Sequence, residues 1–461
     1  MIDGNRAMLT DTIAAIATPL GEGGLAVIRI SGTQALTIAD QVFQPAGKSS
    51  VKPSAAATHT IQYGHVVRNG RRVDEVLVAV MRAPRTLTRE DVVEVTCHGG
   101  LLPAKLVLDA VLASGARMAL PGEFTKRAFL NGRLDLAQAE AVIDLIHART
   151  ELALSAANEQ LAGHLSRRIE TLRDDLVTTL AHVEAHIDFP DEDIAPHTKD
   201  ELLARLDRAV EFMDELLRTA DEGQLLRRGI RAAIVGRPNV GKSSLLNQLL
   251  GHDRAIVSPI AGTTRDTIEE TANVRGIPVV FVDTAGLREA GDVIEQEGIR
   301  RSRVTLERAE LILHVLDASE SLTPEDERYL AEFASKKRLL VRNKVDLPSK
   351  LELPADLIAV DVCCLSGRGL EELKGAIKNL VWAGEIRAEM VQVTINSRHQ
   401  DALSRARIAT RRAIEALREN LTLELAAMDL RIAMNAVGEV VGKTTNDDLL
   451  DSIFSQFCLG K

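Results

Sequence analysis

A strand, a glycine loop and a helix, predicted in that order between residues 231 and 250, constrain this chain more than any other stretch. The apolar run from Ala232 to Val235 leads into Gly236-Arg237-Pro238-Asn239-Val240-Gly241-Lys242-Ser243, after which leucines recur at helical spacing. Glycines let the backbone N–H groups of such a loop turn towards a phosphate, and the helix aims its positive end at the same point. The sequence therefore predicts a phosphate-binding loop in which Lys242 reaches the β- and γ-phosphates and Ser243 binds Mg²⁺.

Two downstream patterns indicate which nucleotide this loop serves. The buried-strand run Val279 to Val282 ends in Asp283-Thr284-Ala285-Gly286, where a carboxylate is placed to hold the water shell of Mg²⁺ and a glycine to approach the γ-phosphate. A second run, Leu339 to Arg342, leads into Asn343-Lys344-Val345-Asp346. Asp346 can accept hydrogen bonds from N1–H and the exocyclic amine of guanine, and adenine lacks these donors on that edge. We therefore expect GTP rather than ATP.

A fourth motif, Gly262-Thr263-Thr264-Arg265-Asp266, lies where a switch loop would supply a threonine to the metal. The order and spacing of the four motifs resemble the translation-factor-related branch of P-loop GTPases. The residues expected to bind GTP are Asn239, Val240, Gly241, Lys242, Ser243, Ser244, Ser258, Thr263, Thr264, Asp283, Thr284, Ala285, Gly286, Asn343, Lys344 and Asp346.

Length and composition bound the rest of the chain. Its 461 residues exceed one domain, and a usual domain length of about 150 residues gives about three. A net charge of −10 excludes a general polyanion-binding surface, so nucleic acid would need a local basic patch or a partner. The four cysteines lack zinc-like spacing, and no apolar run approaches the roughly 18 residues of a membrane helix. We expect no transmembrane segment and a cytoplasmic location.

The order of the patterns predicts a multidomain protein. Residues 1–131 contain strand-like runs broken by Gly and Pro clusters and indicate an α+β domain. Residues 132–228 and 385–461 carry helical spacing and indicate one all-α bundle. Residues 229–384 alternate strands with helices, as an α/β Ras-like P-loop GTPase domain requires, so this domain is predicted to be inserted into the helical bundle.

Three features each leave two interpretations open. His98 is either a metal ligand or a loop histidine, and it has no neighbouring ligand cluster in the sequence. Four carboxylates surround a proline between 187 and 194, as a metal site or as a capped, solvated helix corner. Arg398, Arg405 and Arg412 share one helical stripe, as a phosphate-binding face for RNA or as a solvated charged face with intrahelical partners.

Three further stretches resemble one family in particular. They are 121–125 continuing through 131–140, Ile187 to Ile194, and the terminal Phe457-Cys458-Leu459-Gly460-Lys461. Together with the GTPase motifs they resemble the tRNA modification GTPases called MnmE or TrmE over essentially the whole length. The resemblance implies that residues 1–131 bind tetrahydrofolate and dimerise. It also implies that the homodimer works with the flavoprotein MnmG, which carries FAD, in a heterotetramer or larger assembly.

The implied reaction attaches a carboxymethylaminomethyl or aminomethyl group to C5 of the wobble uridine of certain tRNAs. The one-carbon unit would come from 5-formyl- or methylene-tetrahydrofolate. The implied folate contacts are Arg29, Glu94, Arg133 and Lys461, and relatives often carry Lys at the position of Arg133, which keeps the charge but changes the donor geometry. Cys458 is either a nucleophile or a thiol that lines the pocket.

GTP hydrolysis poses a separate problem, because Leu287 stands where Ras-like switches carry the glutamine that orients water. The family resemblance implies that K⁺ replaces an arginine finger when two GTPase domains meet. The implied K⁺ ligands are Asn239, the backbone at Ser258 and Ile260, and Thr263, and Mg²⁺ is held by Ser243 and Thr264. The implied catalytic residues are Glu295 and Lys242. Glu295 would orient water, although its spacing alone indicates only an acidic helix start.

The last guanine motif departs from the family pattern. A Ser-Ala-Lys/Leu-type turn is replaced by Cys363-Cys364-Leu365-Ser366-Gly367, and we expect the thiols to be tolerated because backbone N–H groups bind the base oxygen there. Two functions remain as hypotheses: a dimeric, K⁺-stimulated GTPase that drives tRNA modification, and a GTP-dependent switch in ribosome assembly. The folate-like N-terminal domain and the terminal Cys-Leu-Gly-Lys favour the first.

Overall fold

The computed structural model describes residues 11–47, 51–189, 196–251, 270–282, 308–354, 357–382, 393–419 and 421–461. These residues form two compact units. The first comprises residues up to 143 together with 435–461, and the second comprises the residues between them. Within the described ranges, no helix is long and apolar enough to cross a membrane.

The strands of the first unit are β1 (Ile13–Ile16), β2 (Leu25–Ser31), β3 (Phe43–Pro45), β4 (Thr60–Arg68), β5 (Arg71–Met81), β6 (Val92–His98) and β7 (Arg117–Met118). Among the described residues they form a seven-stranded sheet in the order β3-β4-β5-β6-β2-β1-β7. β1 and β7 run parallel and the other neighbours antiparallel.

One face of this sheet is covered by helices, whereas among the described residues the other is open on β2, β4 and β5 but buries Ile13 and Ala15 of β1 against Phe124. Ala26, Ile28 and Ile30 alternate along β2 and are buried, as a strand with one core-facing side requires. Helices α1 (Ala35–Val42) and α2 (Leu101–Ala113) cover this face and share its apolar core. The open face exposes four large apolar side chains: Leu25, Ile61, Tyr63 and Leu77.

Three helices fix the C-terminal segment within the first unit: α3 (Glu123–Leu130), α4 (Leu136–His147) and a final helix, α14 (Asp447–Phe454). Phe454 and Phe457 pack with Leu136 and Ala139 in a small buried cluster. Burying each of these aromatic rings contributes roughly 1.5–3 kcal/mol. The last residues of the chain are thereby held beside the sheet.

The second unit holds a parallel sheet with strands β8 (Ile230–Val235), β9 (Glu270–Val274), β10 (Ile277–Phe281), β11 (Leu311–Asp317), β12 (Lys337–Asn343) and β13 (Ala359–Val362). Among the described residues its order is β13-β12-β11-β8-β10-β9, with β9 as an antiparallel edge. Helices α9 (Lys242–Leu250) and α11 (Leu370–Val381) share the larger core of this sheet. Helix α10 (Pro324–Glu332) lies between β11 and β12 in the chain. This is the predicted P-loop GTPase fold.

The predicted helical pattern is also confirmed on both sides of this sheet in the chain. The remaining helices are α5 (Glu151–Leu161), α6 (His164–Asp188), α7 (Pro196–Arg218), α8 (Ala220–Arg228), α12 (Ser397–Arg418) and α13 (Leu423–Val441). Helices α7 and α12 pack against each other. Arg407 and Arg411 of α12 both donate to Asp214 of α7 at 2.8 Å, while Arg405 donates to Asp401 one turn earlier at 2.9 Å. Within the stripe, the intrahelical pair of Arg405 favours the charged-face interpretation, whereas Arg407 and Arg411 lie beside the stripe and join two helices.

The structure bears on the two candidate metal sites differently. His98 donates its backbone N–H to Asp74, and its ring nitrogen Nδ1 lies 2.7 Å from the same carboxylate. This pairing favours the loop-histidine interpretation. Within the described part of the chain, no group of three or more His, Cys, Asp or Glu side chains could hold a metal ion. Residues 190–195 of the acidic corner lie outside that part.

Candidate nucleotide site and C-terminal cluster

The glycine loop lies between the end of β8 and the start of α9, where two of its backbone positions admit only glycine. Gly241 has φ +101°, and a Cβ there would lie 2.2 Å from the side-chain nitrogen of Asn343. A Cβ at Gly236 would lie 2.3 Å from the carbonyl oxygen of Val315. The loop therefore follows the neighbouring strands so closely that any side chain at either position would displace it.

Lys242 closes this loop from the first turn of α9. Its Nζ donates to the carbonyl oxygens of Gly236 at 2.8 Å and Arg237 at 2.7 Å. Burial lowers the pKa of Lys242 from its usual value, against the raising effect of Glu325. The ammonium group thus lies inside the loop, where it can exchange carbonyl oxygens for phosphate oxygens.

Asn343 joins the glycine loop to the guanine motifs. Its side-chain Nδ2 donates to the carbonyl of Val240 at 2.8 Å, and its Oδ1 accepts from the backbone N–H of Cys364 at 3.1 Å. The side chain is buried, so both polar ends are satisfied within the protein. Loops that follow three different strands are therefore fixed to one another by a single amide.

The other two guanine-motif residues differ in their surroundings. Lys344 adopts φ +65°, and its Nζ lies 2.6 Å from Asp317. Burial alone would raise the pKa of Asp317, but bonds from Lys344 and Ser319 hold that pKa below its usual value. Asp346 is exposed and accepts a hydrogen bond from the thiol of Cys363, with a distance of 3.2 Å from Sγ to Oδ1.

These residues fit a guanine nucleotide. The cradle left by Gly236 and Gly241 would be filled by any Cβ, a lysine amine lies inside it, and Asp346 presents a carboxylate to solvent. For Mg²⁺, Ser243 lies in the first turn of α9, as the motif predicts. Thirteen further residues named for this site lie outside the described part: Ser258, Ile260, Gly262, Thr263, Thr264, Arg265, Asp266, Asp283, Thr284, Ala285, Gly286, Leu287 and Glu295.

The first unit brings together three of the four residues that the family resemblance assigns to folate. Arg29 donates from Nε to Glu94 at 2.8 Å and from Nη1 to the carbonyl of Gly460 at 3.0 Å. The backbone N–H of Phe124 donates to the carbonyl of Lys461 at 3.2 Å, and the Arg29 guanidinium lies 5.6 Å from the Phe124 ring centroid. A cation, a carboxylate and the C-terminal lysine therefore share one surface.

The terminal segment is held at this surface by its backbone. Gly460 has φ +89°, and a Cβ there would lie 2.4 Å from the carbonyl oxygen of Ile16. Cys458 is exposed and accepts a weak backbone hydrogen bond from Gly122 at 3.5 Å. Arg133 lies apart from these contacts and donates to the carbonyl of Leu87 at 2.8 Å.

Two residues of these sites were missed by the sequence analysis. Phe124 lies under Arg29, but an aromatic residue in an apolar helix pattern predicts only a core position. Cys363 contacts Asp346, and its signal was the replacement of the motif serine, which was interpreted only through the backbone of that loop.

Comparison with known proteins shows which protein families this chain resembles. A model of the GTP-binding protein TrmE N-terminus matches residues 12–133, and a model of the MnmE helical domain matches residues 136–458. The G domain of the T. maritima FeoB iron transporter is 26% identical, covers 33% of this chain and 98% of its own, and has a TM-score of 0.25.

Two curated relatives match nearly end to end. The tRNA modification GTPase MnmE of Geobacillus kaustophilus (strain HTA426) is 48% identical over 461 residues, covering 98% of this chain and 99% of its own. That of Alkaliphilus metalliredigens (strain QYMF) is 47% identical, covering 98% of this chain and 100% of its own. With matches of this identity and extent, the chain belongs to the MnmE family of tRNA modification GTPases.

Proposed function

We propose that this chain hydrolyses GTP and, with the flavoprotein MnmG, installs a carboxymethylaminomethyl or aminomethyl group at C5 of the wobble uridine of certain tRNAs. The observation that carries the proposal is the presence of two separate sites in one chain of this family. A guanine-nucleotide site lies in the second unit, and Arg29, Glu94 and the C-terminal residues form a cluster in the first. tRNA, GTP and a tetrahydrofolate derivative would be the substrates, and we expect the reaction in the cytoplasm.

In the nucleotide site the protein's own residues would do three things. Asp346 reads the guanine edge, and Lys242 places a positive charge against the β- and γ-phosphates. Ser243 and Thr264 hold Mg²⁺, which neutralises charge on the phosphates when bound. The burial of Lys242 and the close packing of the glycine loop against neighbouring strands support this arrangement, because preorganised charges need little rearrangement when phosphate binds.

Leu287 cannot orient water, so another residue must do so, and the family resemblance implies that K⁺ takes the place of an arginine finger when two copies of the chain meet. We assign K⁺ to Asn239, Thr263 and the carbonyls of Ser258 and Ile260, and the water-orienting role to Glu295. Asn239 supports this assignment. It lies at φ +64°, its side chain is exposed, and among the described residues it has no hydrogen-bond partner, so its amide oxygen is available to a cation.

The folate proposal rests on the chemistry of the cluster in the first unit. A tetrahydrofolate derivative carries both a pterin with N–H donors and a glutamate with carboxylates. Glu94 can accept from the pterin, while Arg29, Lys461 and Arg133 can pair with carboxylates. Arg29 is already oriented by Glu94 and Gly460, so the group is partly preorganised. Cys458 is exposed at the same terminus, as either a nucleophilic or a lining role would require.

A homodimer is supported by the open face of the first unit's sheet. Ile61 (70%) and Leu77 (45%) are exposed there on the paired strands β4 and β5, with Tyr63 opposite Leu77, and Leu25 (66%) is exposed on β2, one strand beyond β6. A contiguous apolar surface on a sheet is typical of an interface.

We also propose a domain division of 1–131, 132–228, 229–384 and 385–461. It is supported by the packing of α7 on α12, since these helices lie on either side of the GTPase motifs in the chain.

Wobble-uridine nucleosides from a deletion strain test this function. We expect mass spectrometry to show loss of the modified nucleoside, and restoration by the wild-type chain. Arg29→Gln should fail to restore it while retaining GTP hydrolysis, because the two sites lie in different units. A deletion strain with normal wobble uridine but immature ribosomal subunits would instead support the ribosome-assembly switch.

The cation requirement has its own measurement. GTP hydrolysis should be far faster in KCl than in NaCl at equal ionic strength, and Asn239→Ala should remove the difference while retaining GDP binding. Equal rates of the wild-type chain in the two salts would contradict the assignment of Asn239 to K⁺.

A further inference from the structure

The loop that contains Cys363 follows β13 and is held in one conformation by its backbone. The N–H of Cys363 donates to the carbonyl of Arg368 at 2.9 Å, and the N–H of Gly367 donates back to the carbonyl of Cys363 at 2.9 Å. A Cβ at Gly369 would overlap the carbonyl of Asp361, so the chain passes close to β13 there. The side chain of Cys363 is therefore fixed in place by a closed turn.

This turn directs the Cys363 thiol at the carboxylate that reads guanine. Sγ lies 3.2 Å from Oδ1 of Asp346, and Cys363 is only 3% exposed. An ionised carboxylate only accepts hydrogen bonds, so the thiol is the donor. The neighbouring N–H of Cys364 donates to Asn343, so this turn contacts two guanine-motif side chains, Asn343 and Asp346.

Among the described residues, the Cys363 thiol is the one hydrogen-bond donor to the Asp346 carboxylate. The residue is exposed, and rotation about the bond that carries a carboxylate is broad. Recognition of guanine uses both oxygens in the plane of the base, one for N1–H and one for the exocyclic amine. A donor that approaches Oδ1 from the protein side uses a lone pair that the base does not need, and it fixes the plane.

We propose that Cys363 is a positioning residue that determines guanine specificity by holding the Asp346 carboxylate through its S–H donor. The inference rests on the guanine-nucleotide site and not on the tRNA chemistry. The inference concerns the Cys363 thiol, in addition to the backbone N–H groups of this loop that bind the base oxygen. A serine hydroxyl can donate to the same oxygen, and an alanine cannot.

The test compares GDP with IDP, whose base lacks the exocyclic amine. Binding of each is measured by calorimetry for the wild-type chain, Cys363→Ala and Cys363→Ser. We expect Cys363→Ala to bind GDP about fivefold more weakly, the effect of losing one weak hydrogen bond to a charged group. Its preference for GDP over IDP should fall as well, because a freely rotating carboxylate aligns less often with both donors. Cys363→Ser should keep both the affinity and the preference.

Cys97→Ala is the matched control, because Cys97 is also a buried thiol but belongs to the core of the first unit. It should change neither affinity nor preference, while thermal unfolding reports any loss of fold in each variant. The inference is overturned if Cys363→Ala keeps the wild-type ratio of GDP to IDP affinity, or if Cys363→Ser loses as much as Cys363→Ala. Failure of the wild-type chain to bind GDP would overturn the guanine site itself.

Discussion

His314 provides a test of how burial controls charge in the second unit. It lies in the middle of β11 and is fully buried, packed edge-on against Tyr329 with ring centroids 6.0 Å apart. Among the described residues, neither ring nitrogen has a hydrogen-bond partner. A protonated imidazole would be strongly disfavoured in such surroundings.

The expected effect on stability follows from the shift in pKa. Burial, and then the charge of Arg338, lower the pKa of His314 to about 4, with Asp326 acting in the opposite sense. In the unfolded chain the pKa is about 6.5. The contribution of His314 to the stability of the native state is therefore fully present above about pH 6.5, and it is lost as pH falls towards about 4. At about 1.4 kcal/mol per pH unit, the loss between pH 7 and pH 5 is about 2 kcal/mol.

The assay uses the chain's single tryptophan. Trp382 is buried against Ile277 and Leu226 of the same unit, so its fluorescence reports urea unfolding there. His314→Phe removes the titrating group while keeping a ring beside Tyr329. Between about pH 7 and pH 5, we expect the free energy of unfolding to fall by about 2 kcal/mol more in the wild-type chain than in the variant.

The comparison of two proteins isolates this one group. Carboxylates such as Asp214 and Asp317, whose pKa values are held low by arginine or lysine neighbours, also cost stability in acid. Their contribution is the same in both proteins and cancels in the difference. If wild type and His314→Phe lose stability equally, then burial does not suppress protonation of His314 and the reasoning is wrong.

Two glycine substitutions test the close approaches described above. Gly241→Ala should weaken GDP binding at least tenfold in calorimetry, because left-handed strain costs roughly 1–3 kcal/mol and the new methyl displaces Asn343. Normal affinity would show that the loop tolerates a side chain. Gly460→Ala should displace the C-terminal segment from Ile16, weakening binding of 5-formyltetrahydrofolate while GDP affinity stays unchanged. Retained folate binding would show that the position of the terminal segment is irrelevant to that site.

The nucleotide site could be predicted because its geometry is local. A strand, six loop residues and a helix fix the positions of Gly236, Gly241 and Lys242 relative to each other without help from distant residues. The register of the parallel strands then places the end of β12 beside the glycine loop. What sequence spacing did not supply was the amide of Asn343 as the link, since its two partners lie 103 and 21 residues away.

The cluster in the first unit has no local signature at all. Arg29 meets Glu94 across 65 residues and Gly460 across 431 residues. The first contact depends on the antiparallel register of β2 and β6, and the second on the docking of α14. A family resemblance named these residues, but only the folded chain shows that Phe124 lies beneath them.

The contacts of the buried Arg127 could be predicted from the sequence even less than those of Arg29. Its guanidinium is fully buried and binds Asp11, Glu90 and Glu123. It is the single arginine of the eight-residue helix α3, and arginine is ordinarily an exposed residue. Burial of a charge is favourable only when several partners converge, and that convergence is a property of the tertiary fold.

Asn343 also has a consequence for how the nucleotide site responds to its ligand. Its two hydrogen bonds hold the phosphate loop at Val240 and the base loop at Cys364, and neither loop can shift without leaving a buried amide unsatisfied. Such an unpaired group costs about 1–3 kcal/mol. A shift of the base loop would therefore also disturb the phosphate loop, even though the two serve opposite ends of the nucleotide.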